Sequence, residues 1–183
     1  MLGAMSDITL RVLEVFPEPE FSALQAEVFL DFEPSRLLAA VLASEAAARP
    51  GDVTTPDQFR VAAFRGDALI GWTSGYREGK SQFYMLNSGV ANAERRKGVY
   101  SRLVETVLGH AEAQGYAAVT SRHVAANVAV IIAKLRLGFQ ISGFEYSEVY
   151  GPLVRLTYIV GELRRSLYRV RASPIRSAVE NDA

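Results

Sequence analysis

The chain has 183 residues, 49% of them hydrophobic, with 20 basic and 20 acidic side chains and a formal net charge of zero. That length suits a single domain with a substantial core, and the charge balance gives no bulk attraction to nucleic acid or to an anionic membrane, so the expected partner is a small molecule. Cysteine is absent and the two histidines are His110 and His123, which excludes disulfides, thiolate sites and a Cys nucleophile and makes a metal centre unexpected.

Met1 to Leu10 lacks a basic segment followed by an apolar core, so no secretory signal is expected. The apolar run Val128 to Ala133 stops at Lys134, far short of a bilayer span. These features set the default of a soluble cytoplasmic chain. Ile8 to Phe16 reads as a strand ended by Pro17 and Pro19, followed by helices over about Phe21 to Phe29 and Ser35 to Ala48, the second stopped by Pro50-Gly51. Phe59 to Arg65 and Ala68 to Tyr76 flank a Gly66-Asp67 turn and read as a hairpin, and Ser81 to Val90 is a further strand.

From Val99 to Gln114 the residues Val99, Leu103, Val104, Val107, Leu108 and Ala111 recur at helical spacing, with Gly115 as a C-terminal stop. A strand from Ala117 to Val124, a helix from about Asn127 to Leu137 ended by Gly138, and strands Phe139 to Tyr150 and Leu153 to Val160 about a Gly151-Pro152 turn complete the order. The class is α/β, a mixed sheet flanked by helices. The segment after residue 160 carries Arg164, Arg165, Arg169, Arg171 and Arg176 and reads as a short amphipathic helix with a solvated end, either part of the same domain or disordered.

Chemistry concentrates after the strand Phe83 to Val90, at Arg95-Arg96-Lys97-Gly98-Val99-Tyr100. A strand, a loop and a helix start gather unpaired N–H groups and the positive end of a helix dipole, which suits a phosphate or pyrophosphate. Taken by itself the basic cluster is equally a solvated loop. Gly71-Trp72-Thr73-Ser74-Gly75 puts its serine one position too late for a nucleophile elbow, and no Walker A or G-x-G-x-x-G motif occurs.

The stretch Arg95-Arg96-Lys97-Gly98-Val99 resembles the Q/R-x-x-G-x-G/A acetyl-CoA signature of the GNAT superfamily at its first and fourth positions. Val90 stands where that family's fourth strand ends. Asn127 followed by Gly138-Phe139 is similar to the family's N-x-x-A helix that closes on Gly-Phe, and Arg65 to Gly71 looks like its second and third strands. The resemblance covers roughly Ile8 to Val160. It implies one GNAT acetyltransferase domain over residues 1–160 with a mixed, mostly antiparallel sheet whose central strands splay. It also implies acetyl-CoA as acyl donor, an amine acceptor of small-molecule or peptide type, and direct transfer without an acyl-enzyme. The cofactor-binding residues it points to are Ser88, Val90, Arg95, Arg96, Lys97, Gly98, Val99, Tyr100, Ser101 and Asn127, with backbone N–H near Ser88 to Val90 facing the developing oxyanion. A homodimer stays open, and a non-catalytic acyl-CoA-binding module is the alternative.

Three positions depart from the family pattern, and Arg96 is one, standing where the family often has Gly. Tyr100 replaces a Gly or Ala, so its ring is expected to point away from the loop toward the sheet. Lys134 stands seven residues after Asn127, where many family members carry the tyrosine that protonates the leaving thiolate. An ammonium on a long flexible stem reproduces a phenol's placement poorly, so Lys134→Met is expected to lower kcat by less than about tenfold. His123, Tyr146 and Tyr150 are the other candidates for proton transfer. Asp31, Glu33, Glu145 and Glu148 are candidate bases.

Overall fold

The computed structural model describes residues 7–29, 40–41, 43–44 and 57–172. Seven strands form one sheet: β1 (Ile8–Leu13), β2 (Gln58–Arg65), β3 (Ala68–Glu78), β4 (Gln82–Val90), β5 (Ala118–Val124), β6 (Gln140–Ser147) and β7 (Gly151–Ile159), in the spatial order β1-β2-β3-β4-β5-β7-β6. The helices are α1 (Glu20–Phe29), α2 (Val99–Ala113), α3 (Val128–Arg136) and α4 (Glu162–Ala172). Of the helix expected over Ser35 to Ala48, residues 40, 41, 43 and 44 are helical and the rest lie outside the described residues, as do Asp31 and Glu33. Among the described residues no helix is long and apolar enough to cross a membrane.

Every neighbouring strand pair is antiparallel except β4 and β5, which are parallel and pair over three positions alone, Gln82↔Ala118, Phe83↔Val119 and Tyr84↔Thr120. Beyond Tyr84 and Thr120 the two strands separate. Just past that point the β3–β4 register shifts between Ser74 and Gly75, leaving Leu86 as an extra residue on β4, and a bulge of this kind bends and twists the strand that carries it. The sheet is therefore open at its centre, on the side where β4 and β5 end.

The two faces are closed by different chemistry. On one, α1 lays Phe21 and Leu24 against Phe16, Phe64 and Trp72, with the Phe21 and Trp72 rings edge to face at 5.4 Å. On the other, the periodic stripe of α2 buries Val99, Leu103, Val104, Val107 and Ala111 over β2 to β5. Burying one such side chain contributes about 1.5–3 kcal/mol, so this stripe anchors the start of α2 firmly beside the end of β4.

The last hairpin corrects the sequence reading. Its turn is Glu148-Val149-Tyr150, and Gly151 and Pro152 already belong to β7. The Ser147 Oγ accepts from the N–H groups of Val149 (3.2 Å) and Tyr150 (3.1 Å), satisfying the turn from a side chain, and Gly151 leaves it at φ 72°. Pro152 is tolerated as an early strand residue because its missing N–H costs little there. α4 docks through Arg165, which donates to the Tyr158 hydroxyl at 2.9 Å and pairs with Glu162 at 3.1 Å.

Candidate active site

The chain leaves β4 at Val90, makes a single 3₁₀ turn over Asn92–Glu94 and enters α2 through Arg95, Arg96, Lys97 and Gly98. Two residues in this link are left-handed, Arg96 at φ 62° and Gly98 at φ 81°. For Gly98 that conformation is free of side-chain strain, whereas Arg96 bears it. Gly98 is the N-cap of α2 and supplies no side-chain cap, so the N–H groups of Val99, Tyr100 and Ser101 lack intrahelical partners. Arg102 N is the first to close onto the helix, at 3.1 Å from the Gly98 carbonyl. Glu94 folds back on Arg65 (2.8 Å) and Lys97 (3.4 Å), leaving the loop basic at Arg95 and Arg96. Uncapped donors, a left-handed concavity and positive charge together form an anion cradle.

Beside the cradle, β4 presents its free edge. Ala91 N donates to the Ile70 carbonyl toward β3, so by strand alternation the N–H groups of Val90 and Ser88 point the other way, into the opening between β4 and β5. Arg95 Nε reaches the Val90 carbonyl from that side at 3.4 Å. The Ser88 hydroxyl lies 2.8 Å from Thr73 Oγ1. Tyr100 turns into the core as its position requires, and its buried hydroxyl has no hydrogen-bond partner among the described residues. Burial pushes that phenol well above its ordinary pKa.

The apex of the opening is filled by Lys134. The first residues past the last β4–β5 pair are Met85 and Ser121, and Lys134 Nζ touches both, at 3.2 Å from Met85 Sδ and 2.8 Å from Ser121 Oγ. Its ammonium also sits 4.4 Å over the Phe139 ring. At 1% exposure it is the most buried residue of α3, while Val128, Ile132 and Leu135 on the same helix are 56%, 43% and 39% exposed. The stem is therefore held by its contacts, where the sequence suggested a flexible one. No carboxylate pairs with it among the described residues, and burial pulls the ammonium down from 10.5 to about 7. Ser121 Oγ in turn lies 3.0 Å from His123 Nε2, whose imidazole is held down to about 3 by burial and by the Lys134 charge.

Asn127 is the N-cap of α3, its Oδ1 accepting from Val130 N at 3.4 Å, so the amide's NH₂ stays available as a donor. Tyr146 is 81% exposed on the edge strand β6, and Tyr150 is 60% exposed in the β6–β7 turn. Neither hydrogen-bonds to Lys134 or His123, so the structure does not gather all four candidate proton donors. On the opposite sheet face, Arg122 pairs with Glu145 (2.8 Å) and Glu78 (3.4 Å), and Arg155 lies within 4 Å of both carboxylates. Glu145 is thereby held between two guanidinium groups. Residues that sequence reasoning passed over are Ser121 and Met85. Ser121 shares a sheet face with Val119 and His123, and a hydroxyl at a buried strand position was the available signal.

A cavity of about 450 Å³ between Arg136, Tyr158 and Arg165 lies at the paired end of β5, away from the opening. No cluster of three or more His, Asp or Glu side chains is placed to hold a metal among the described residues.

Comparison with known proteins follows the same outline. The profile of the Acetyltransferase (GNAT) family matches residues 12–139. No curated protein sequence matches significantly. Among solved structures, a probable acetyltransferase from Staphylococcus epidermidis is similar with a TM-score of 0.65 at 16% identity, over 84% of this chain and 99% of that one. The ribosomal-protein-S18-alanine N-acetyltransferase from Escherichia coli gives 0.63 at 16% identity, covering 85% and 97%. An acetyltransferase from Bacillus subtilis in complex with CoA gives 0.60 at 15% identity, covering 84% and 99%. At these identities the solved structures share the fold.

Proposed function

Because this chain belongs to the GNAT acetyltransferase family, we propose that it moves an acetyl group from acetyl-CoA to the nitrogen of an amine acceptor, directly and without an acyl-enzyme. The observation that carries this reading is the junction of two features: the uncapped start of α2, with left-handed Arg96 and Gly98, opens beside the free edge of β4. The N–H groups of Val99, Tyr100 and Ser101, with the charges of Arg95, Arg96 and Lys97, hold the pyrophosphate. Asn127 donates its free amide hydrogens to the pantetheine arm while its oxygen caps α3.

Acetyl-CoA, bound as substrate, supplies an activated acyl carbon. The N–H groups of Ser88 and Val90 meet the negative charge that develops on the acyl oxygen, and donors fixed in advance need no reorganisation when it appears. Lys134, fixed at the apex of the opening, gives the departing sulfur its proton. Holding acceptor and thioester together in one cleft removes much of the entropic barrier to attack.

The test is a panel of small amines, amino acids and peptides incubated with acetyl-CoA, following free thiol release. Release that depends on one class of acceptor is expected. Tight CoA binding with no release from any amine would leave the non-catalytic binding module as the function.

A further inference from the structure

A buried amine that donates a proton must recover one before the next turnover, and Lys134 has no carboxylate beside it from which to take it. The groups that face it are Met85 from β4 and Ser121 from β5, with the Phe139 ring behind. His123 stands one step away through Ser121, and Tyr100 and His110 from α2, Tyr116 just after it and Tyr158 from β7 are the other titratable groups packed on the surrounding core. Among these, the sole hydrogen-bonded exit from the amine runs through the Ser121 hydroxyl.

We propose that Ser121 and His123 form a proton path that recharges Lys134 after each acyl transfer, with Ser121 the positioning residue that makes the path continuous. The inference rests on the acyl-transfer reading above. Its geometry is three polar atoms in series, Lys134 Nζ to Ser121 Oγ at 2.8 Å and Ser121 Oγ to His123 Nε2 at 3.0 Å, all on the α2 and α3 side of the sheet. Such a chain runs in either sense. With Lys134 charged, the ammonium donates to Ser121 and the serine O–H donates to a bare Nε2. With Lys134 neutral, its lone pair accepts the serine O–H, and Ser121 accepts from a protonated Nε2.

His123 is half-buried and lies three residues past the last β4–β5 pair, so it is the member of the chain nearest the cleft. Its depressed basicity keeps it neutral, and it passes protons by exchanging tautomers rather than by storing charge. The balance closes. The acceptor nitrogen forms the new C–N bond, and the C–S bond breaks with its electron pair going to sulfur. Lys134 gives that sulfur one proton. The proton lost by the nitrogen enters at Nδ1 of the Nε2–H tautomer of His123, and Nε2 and Ser121 hand an equivalent one to Lys134. The ring, left with its proton on Nδ1, returns to the Nε2–H tautomer by proton exchange with water before the next turnover. One proton has moved from nitrogen to sulfur, and no oxidant or reductant takes part.

The test compares Ser121→Ala with Ser121→Thr, which keeps the hydroxyl. Ser121→Ala is expected to lower kcat roughly ten- to a hundredfold, with the KM for acetyl-CoA and the melting temperature unchanged. Ser121→Thr should recover turnover to within about threefold of wild type. A second arm needs no turnover: the His123 ring carbon is followed by NMR through the Lys134 titration. The ring signal should move with that titration in wild type, move far less in Ser121→Ala, and stay still in Lys134→Met. Ser121→Ala turning over within twofold of wild type, Ser121→Thr as slow as Ser121→Ala, or a ring signal indifferent to Lys134 would each overturn the path. A wild-type protein that binds CoA yet acetylates no amine would count against acyl transfer alone, and the ring titration would still confirm or remove the path.

Discussion

The two helices that border the cleft begin and pack in opposite ways. α2 starts on Gly98, which leaves its first N–H groups open, and it buries a regular apolar stripe. α3 starts on Asn127, which caps Val130 N from its side chain, and it buries a lysine while Val128, Ile132 and Leu135 face outward. Each helix gives up ordinary stability at one place. For α2 the sacrifice is at the terminus, where an unmade cap leaves donors for an anion. For α3 it is in the core, where a cation without a counterion is costly unless it is neutralised. Both departures lie at the same opening between β4 and β5, and the function proposed above gives binding to the start of one helix and proton transfer to the last turn of the other.

The largest effect should come from the buried end of this comparison. Lys134→Met keeps the stem and removes the amine, and kcat should fall about a hundredfold or more with acetyl-CoA affinity retained. A loss under tenfold, read by steady-state thiol release, would restore the smaller effect expected from the sequence. That smaller figure assumed a free stem, and the contacts with Met85, Ser121 and Phe139 remove the assumption.

This reversal shows what could be read from the chain. The Val99 helix was legible because its apolar residues keep one helical phase and all face the core, and the hairpin at Gly66-Asp67 was legible because the turn chemistry is local. The junction of strand, basic loop and helix start at Arg95 to Ser101 was legible from the same locality, since its parts are contiguous. The burial of Lys134 was not legible. The pattern Val128 to Ala133 puts apolar residues all round the helix, and which side meets the sheet depends on where β4 and β5 part. Ser121 stayed hidden for the same reason, because its partners come from α3 and from its own strand rather than from neighbours in sequence. The last turn was misplaced because Gly151-Pro152 outweighed Ser147, whose side-chain hydrogen bonds exist only once the chain has turned.

The same lysine gives a stability effect of about 2 kcal/mol. Its folded pKa of about 7 lies below the ordinary 10.5, so the unfolded chain binds more protons between these values and stability rises with pH across that window. The penalty is complete below pH 7 and gone above 10.5. From pH 7 to pH 9, urea unfolding of wild type should gain roughly 2 kcal/mol relative to Lys134→Met. Parallel pH curves for the two proteins would show that the amine keeps its ordinary basicity.

Smaller effects are expected at Asn127, where cap and ligand donor sit on one amide. Asn127→Ala should lower stability by about 1 kcal/mol through loss of the cap. Asn127→Asp keeps the cap and loses the donor, so its melting temperature should stay near wild type while CoA affinity drops about fivefold. Unchanged affinity in Asn127→Asp, measured by calorimetry, would reduce this residue to a cap.

The assignment of binding to the start of α2 is tested most directly by calorimetric titration of CoA into wild type and Gly98→Val. A β-branched residue at φ 81° is strained by about 1–3 kcal/mol and crowds the N–H groups proposed to hold the pyrophosphate. Wild type should bind one CoA per chain and the variant at least tenfold more weakly, with its fold intact by circular dichroism. Equal affinity in the two proteins, or no binding by wild type, would contradict the account.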